Sequence, residues 1–186
     1  MGLLDHFLPP PDPARGWSPN PGLLLECRLD EPSFCGVRLG DAVAALSRFG
    51  PPENNRPTRD GLYDHPSRGF EIDADEGRVD CFLFRWDAMD PAKHFKGSFS
   101  RDGRPVRLDS STGEGDLRTA LGEPYWIDDD GSEKLYFYEL RQGTLEWQVE
   151  FVRGRLAVLT ILTPGLLADP EVRADYHVTR PWPPPL

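Results

Sequence analysis

Histidine changes protonation near neutral pH, so His6, His65, His94 and His177 are the first candidates for proton transfer or metal ligation. They are far apart in the chain, and no His-Glu-x-x-His or similar ligand spacing joins any two of them. Each reads as a surface or turn histidine. Cys27, Cys35 and Cys81 are odd in number and lack metal-like spacing, which predicts reduced, partly buried thiols. Asp128-Asp-Asp-Gly-Ser-Glu133 has the look of a calcium loop, but Glu133 stands where the sharp-turn glycine belongs. Asp73-Ala-Asp75 reads as hairpin chemistry before metal chemistry. Gly113-Glu-Gly115 opens a helix, yet Arg118 occupies the third glycine position of a dinucleotide fingerprint. There is no Gly-x-Ser-x-Gly nucleophile elbow. The expectation is a chain with no catalytic residues, no metal site and no cofactor.

Charge narrows the partners. The 186 residues carry 21 basic and 31 acidic side chains, a net charge of -10. A chain this acidic repels nucleic acid and anionic membrane and releases no counterions from them, so neither is an expected partner. A basic protein remains compatible. Lys93, Lys96 and Lys134 are the lysines; the other cations are arginines, as codon bias in a GC-rich genome would produce. The start, Met1 to Pro10, lacks the cationic and apolar regions of a signal peptide, and no stretch reaches the length of a membrane span. Cytoplasm is the expected location.

The elements that would position a site follow from hydrophobic period and turn chemistry. Residues 1–22 hold Pro9, Pro10, Pro11, Pro13, Pro19 and Pro21 and predict an extended arm. Leu23 to Leu29 predicts a strand. Asp41 as N-cap, the stripe Ala42, Val43, Ala45, Leu46 and Phe49, and the stop Gly50-Pro51 predict a short helix. Phe70–Asp73 and Val79–Phe84, joined through Asp75-Glu-Gly77, predict a hairpin. Phe95–Ser100 and Pro105–Leu108 predict another around Asp102-Gly103. Leu145, Trp147, Val149 and Phe151 alternate with polar residues, the period of a half-buried strand. Asp169-Pro170-Glu171 predicts the start of a last helix, running to about Tyr176.

Part of this order recurs. Val37-Arg-Leu39 returns as Val106-Arg-Leu108, Leu62-Tyr63 as Leu135-Tyr136, and Gly77-Arg-Val as Gly154-Arg-Leu. The second helix, near Asp116 to Leu121, ends in Gly122-Glu-Pro124 as the first ends in Gly50-Pro-Pro52. Such ordered recurrence is what a tandem duplication leaves behind. The expected class is therefore α+β: two tandem helix-plus-antiparallel-sheet repeats, which could join as one continuous sheet with helices on one face. Residues 1–22 would be the arm, 23–92 the first unit, 93–163 the second, and 164–186 a short helix with a Pro-rich tail.

Leu121-Gly-Glu-Pro124, Leu135-Tyr-Phe-Tyr138, Trp147 to Phe151 and Gly154-Arg-Leu156 together resemble the SmpA/OmlA (BamE-like) repeat. The tandem form of that repeat occurs in the β-lactamase inhibitor protein-like fold. The resemblance spans about residues 23–163. It implies two helix-on-sheet units whose sheet offers a surface to a protein partner. Secreted members carry disulfides and a signal peptide, and outer-membrane members are lipoproteins; this chain shows neither pattern. No contact residue of the family has a matching motif here.

If Leu145, Trp147, Val149 and Phe151 face the core, Glu146, Gln148 and Glu150 share the opposite face, with Glu71 and Asp73 beside them. On Leu135–Leu140, inward Leu135 and Phe137 would leave Tyr136 and Tyr138 outside. The expected site is thus an acidic, tyrosine-bearing open sheet face, with Tyr136, Tyr138, Glu146, Gln148, Glu150, Glu71 and Asp73 as partner-binding residues. The expected function is a non-catalytic intracellular protein-binding module, of inhibitor, immunity or assembly type. The alternative is a small enzyme whose site converges only in space.

Overall fold

A computed structural model describes residues 12–54, 61–87 and 89–184. The strands are β1 (Glu26–Arg28), β2 (Ser33–Phe34), β3 (Val37–Arg38), β4 (Leu62–His65), β5 (Phe70–Asp75) and β6 (Arg78–Arg85), then β7 (Ser98–Arg101) and β8 (Arg104–Val106). They continue as β9 (Trp126–Asp129), β10 (Glu133–Leu140), β11 (Leu145–Val152) and β12 (Arg155–Leu162). Among the described residues two short α-helices are α1 (Glu114–Leu121) and α2 (Pro170–Asp175). Val43–Phe49 is a 3-10 helix.

Turn residues set the hairpins. Cys35-Gly36 (φ 51°, 79°), Glu76-Gly77 (48°, 77°), Asp102-Gly103 (51°, 70°) and Arg153-Gly154 (53°, 73°) each place two left-handed residues between strands. That geometry twists in the sense of the flanking strands, so the two-residue turn joins them without splaying.

The larger sheet is seven-stranded, β4-β5-β6-β12-β11-β10-β9, and antiparallel throughout. The smaller has the order β3-β2-β1-β7-β8, with β1 and β7 parallel. This mostly-β pair of sheets corrects the expected α+β class of two helix-plus-sheet repeats. Pairing across the expected unit boundary is the reason. β1 bonds to β7 and β6 bonds to β12, so strands from both halves build both sheets. The helical segments are also too short to form a layer. Asp41, expected to cap the first, instead accepts a hydrogen bond from Arg38 N (2.8 Å), and the 3-10 helix begins without a side-chain cap.

One face of the large sheet packs on the small sheet and the helices. Tyr63, Phe70, Ile72, Phe82, Phe84, Tyr136, Trp147, Val149 and Ile161 meet Cys27, Phe34, Val43, Leu46, Phe49, Phe99 and Leu117 in one core. Phe34 sits at its centre, edge-on to Phe70 and Phe84 with ring centroids 5.0 Å apart in each case. Each such aromatic, fully buried, contributes roughly 1.5–3 kcal/mol by leaving water.

The described parts of both Pro-rich ends lie on the body. Trp17 stacks on Tyr63 at 5.8 Å, and Asn20 donates to Arg48 O, so residues 12–22 lie on the body. The first eleven residues of the expected arm are outside the described residues. The C-terminal segment folds back as a strap on the far face of the large sheet.

Candidate functional site

Strand register assigns the residues of that far face. Across β4 to β6 they are Leu62 beside Asp73 and Cys81, then Asp64 beside Glu71 and Leu83, with Arg85 beyond. Across β12, β11 and β10 they are Leu162–Glu146–Glu139, Thr160–Gln148–Phe137 and Val158–Glu150–Leu135. The face divides into a half covered by the strap and a half outside it.

The strap covers the β9–β10 side. Leu167 is buried against Tyr125 and Phe137, with Trp126, Leu135, Val172, Tyr176, Val178 and Trp182 around them. Asp169 caps α2 through Glu171 N (2.7 Å), and Pro170 supplies the first helical residue. Trp126 donates its indole N–H to Tyr176 O (3.0 Å), and Tyr125 donates its hydroxyl to Pro181 O (2.9 Å). Arg173 lies over the Trp182 ring and Arg180 over Tyr125, at 5.0 and 5.1 Å. Guanidinium–aromatic contacts of this kind fasten the strap.

Beneath it lies a carboxyl pair. Glu146 is 0% exposed and accepts Leu167 N–H at 3.0 Å as well as an amide hydrogen bond from Gln148. Glu139, directly opposite, has both oxygens buried without any neighbouring N–H to accept. Burial pushes its carboxyl up to about 10, assisted by the hydrogen bond to Glu146 and the charge of Glu146. Glu139 is therefore held as a neutral carboxylic acid facing Glu146. An acid beside a carboxylate is an arrangement proton-transfer enzymes use. Here the buried Glu146 is sealed under Leu167 and Gly165, so no substrate reaches it with the strap in place.

The other half stays partly exposed. Asp64, Glu71, Asp73 and Glu150 surround Arg85, which pairs with Glu71 at 3.4 Å. Four carboxylates share one guanidinium. Burial, then the charges of Glu71 and Asp80, pushes the Asp73 carboxyl up to about 6. Asp64 is raised by burial and by Glu71; Glu150 by burial, Glu133 and Asp87. Leu62, Cys81, Leu83, Thr160 and Leu162 lie between these acids, all half-buried. The patch is a field of mutually repelling carboxylates on a partly apolar floor.

The expected site residues separate. Glu71, Asp73 and Glu150 lie in this half, with Gln148 on the boundary. Glu146 does not: it is buried beneath the strap. Tyr136 and Tyr138, expected outside, are 0% and 4% exposed on the core face. Tyr136 pairs with Val149 and Tyr138 with Trp147, and residues directly opposite share a face. The sequence pattern places this strand one residue out of phase because Phe137 is also buried, under the strap. Alternation cannot assign faces on a strand covered on both. Tyr136 bonds Glu114 and Tyr138 donates to Gly122 O, which ties β10 to both ends of α1.

Sequence reasoning missed Asp64, Arg85 and Glu139. Arg85 follows the expected strand Val79–Phe84 and Asp64 follows the recurring Leu62-Tyr63, so extending both by alternation would have found them. Glu139 had no signal, because its burial depends on a segment thirty residues away. His65 is buried at 3%, stacked on Phe70 at 4.6 Å, and burial lowers it to about 4. It is a neutral core histidine. Among the described residues no group of His, Cys, Asp and Glu could hold a metal ion, and no helix is long and apolar enough to cross a membrane.

No family model matches this chain, and no curated protein does. Among solved structures, the chain is similar to a DUF4309 family protein (YjgB) from Bacillus subtilis subsp. subtilis str. 168, with 12% identity and a TM-score of 0.41 over 82% of this chain and 86% of that one.

Proposed function

We propose that the chain is a non-catalytic protein-binding module whose docking surface is the acidic half-face of Asp64, Glu71, Asp73 and Glu150 around Arg85. The observation that carries this reading is the clustering of four carboxylates around one guanidinium on a half-buried face, where burial first and neighbouring carboxylates second raise Asp64, Asp73 and Glu150. Such repulsion is a cost in the free protein that a cationic partner relieves, so attraction is complementary in sign and steers approach. Leu83 and Leu162 supply apolar contact beneath the charges. The chain's own strap supports the chemistry: the neighbouring half of the same face is covered by a segment bearing Arg173, Arg180, Tyr176 and Trp182. The partner is accordingly a basic protein surface with arginine and aromatic side chains. The three unpaired thiols fit a reducing compartment, the cytoplasm.

The test is comparative. Proteins captured from the native cell by the full chain are compared with those held by an Asp73→Asn, Glu71→Gln, Glu150→Gln variant, and the difference is followed by surface-plasmon kinetics. A partner of this face associates more slowly with the variant, and its association rate depends less on salt. A captured partner with unchanged rate constants on the variant refutes this face as the docking surface.

A further inference from the structure

A second polar site lies elsewhere, between the β7–β8 hairpin and α1. A cleft of about 770 Å³ opens there, lined by Arg101, Arg104 and Arg107 from the hairpin and by Asp116 and Thr119 from the helix. Its volume lies in the range of small-molecule sites. Arg101 and Arg104 are direct cross-strand partners on either side of the Asp102-Gly103 turn. Like charges placed opposite each other destabilise a hairpin, and this chain holds them together despite ten excess negative charges.

The arginines differ in how they are held. Arg101 donates to Leu121 O at 2.9 Å and lies 5.5 Å from the centre of the Trp147 ring, so its guanidinium is fixed at the cleft. Arg107 is held by Asp109 (2.7 Å) and Ser111 (3.2 Å). Arg104 makes no side-chain hydrogen bond or ion pair among the described residues and is exposed. Neither acid of the cleft compensates it. Asp102 is 79% exposed at the turn and 4.0 Å from Arg101, while Asp116 accepts Gly113 N–H at the start of α1. A fixed guanidinium beside a free one presents donors in the planar forks that match oxyanions.

We infer that this cleft binds a small oxyanion-bearing molecule, of phosphate-ester or polycarboxylate type, between Arg101 and Arg104, with Arg107 at its rim. The inference stands apart from the docking face. It is tested by NMR titration of the full chain with phenyl phosphate, inorganic phosphate and citrate, reading the arginine Nε–Hε signals. Saturable shifts at Arg101 and Arg104 are expected. Phenyl phosphate or phosphate as the tighter probe assigns the phosphate class, and citrate the polycarboxylate class. Arg104→Ala, at an exposed position, should weaken binding by about tenfold, and Arg104→Lys should restore only part of it. Linear shifts without saturation, or unchanged affinity in Arg104→Ala, overturn the site. So does Arg104→Lys binding as tightly as the parent chain, because a point charge would then suffice.

Discussion

Glu139 and Glu146 stand directly opposite each other on adjacent strands, and Glu139 keeps its proton beneath the strap. In the unfolded chain Glu139 ionises near its ordinary value of 4.5, whereas in the fold it keeps its proton up to about 10. Between those values the folded chain binds one more proton, so this group's contribution to stability falls as pH rises. Glu139→Gln keeps an N–H donor for Glu146 and removes the titration. It is expected to be more stable than the parent chain by on the order of 1–2 kcal/mol near pH 9, allowing for solvent screening of a partly exposed group. The difference should vanish near about pH 4. Denaturant unfolding across pH measures it; parallel curves for the two proteins would contradict the proton held on Glu139.

Removing the other partner has the opposite effect. Glu146→Ala leaves Leu167 N–H and the Glu139 carboxyl buried without acceptors, at a cost of about 1–3 kcal/mol. An exposed glutamate would change stability by no more than about 0.5 kcal/mol, so chemical denaturation separates the two placements.

The tyrosines of β10 are core residues. Tyr136→Ala and Trp147→Ala are each expected to cost about 3–5 kcal/mol, because both side chains leave cavities in a packed interior. Tyr138→Phe, which loses only the bond to Gly122 O, should cost about 1 kcal/mol. Unfolding midpoints unaffected by Tyr136→Ala would return this tyrosine to the surface.

Asp73 should reveal the docking face through stability alone. Its carboxyl is raised to about 6, so folding gains from its proton at low pH and loses that gain as pH rises through the folded value. Asp73→Asn is therefore expected to raise Tm near about pH 7.5 while slowing partner association, the trade-off found where function opposes stability. His65 contributes with the opposite slope, since its lowered value favours folding as pH rises above about 4. The comparison of variant with parent removes that common background. A lower Tm in Asp73→Asn would mean that the carboxylates stabilise the free protein.

The strap depends on one close approach. A Cβ at Gly143 would lie 2.4 Å from the Trp182 ring, and its φ of +81° disfavours any side chain. Gly143→Ala is expected to lift Trp182 and expose the apolar residues beneath, raising dye binding and protease cleavage after residue 163. A variant as resistant to cleavage as the parent chain would show that the strap does not depend on this contact.

Much of the local structure could be read from residues alone. Asp102-Gly103 and Glu76-Gly77 marked their hairpins, because few pairs tolerate two positive φ angles. The Asp169-Pro170 start of α2 carried its own cap, and the strict alternation from Leu145 to Phe151 assigned the core face of β11 correctly. These signals are local, and local sterics and hydrogen bonding enforce them. Partner choice between strands was decided only in the tertiary structure. The sequence recurrence suggested self-contained units, but β1 joins β7 and β6 joins β12, pairings that no spacing encodes. The candidate site changed for the same reason. Glu71, Asp73 and Glu150 were legible as outward residues of alternating strands. The burial of Glu146 and the proton on Glu139 follow from covering the second face of β10 and β11, while Tyr136 and Tyr138 turn inward with Val149 and Trp147, their partners on β11. Only the folded-back strap, packed from far along the chain, makes that second cover.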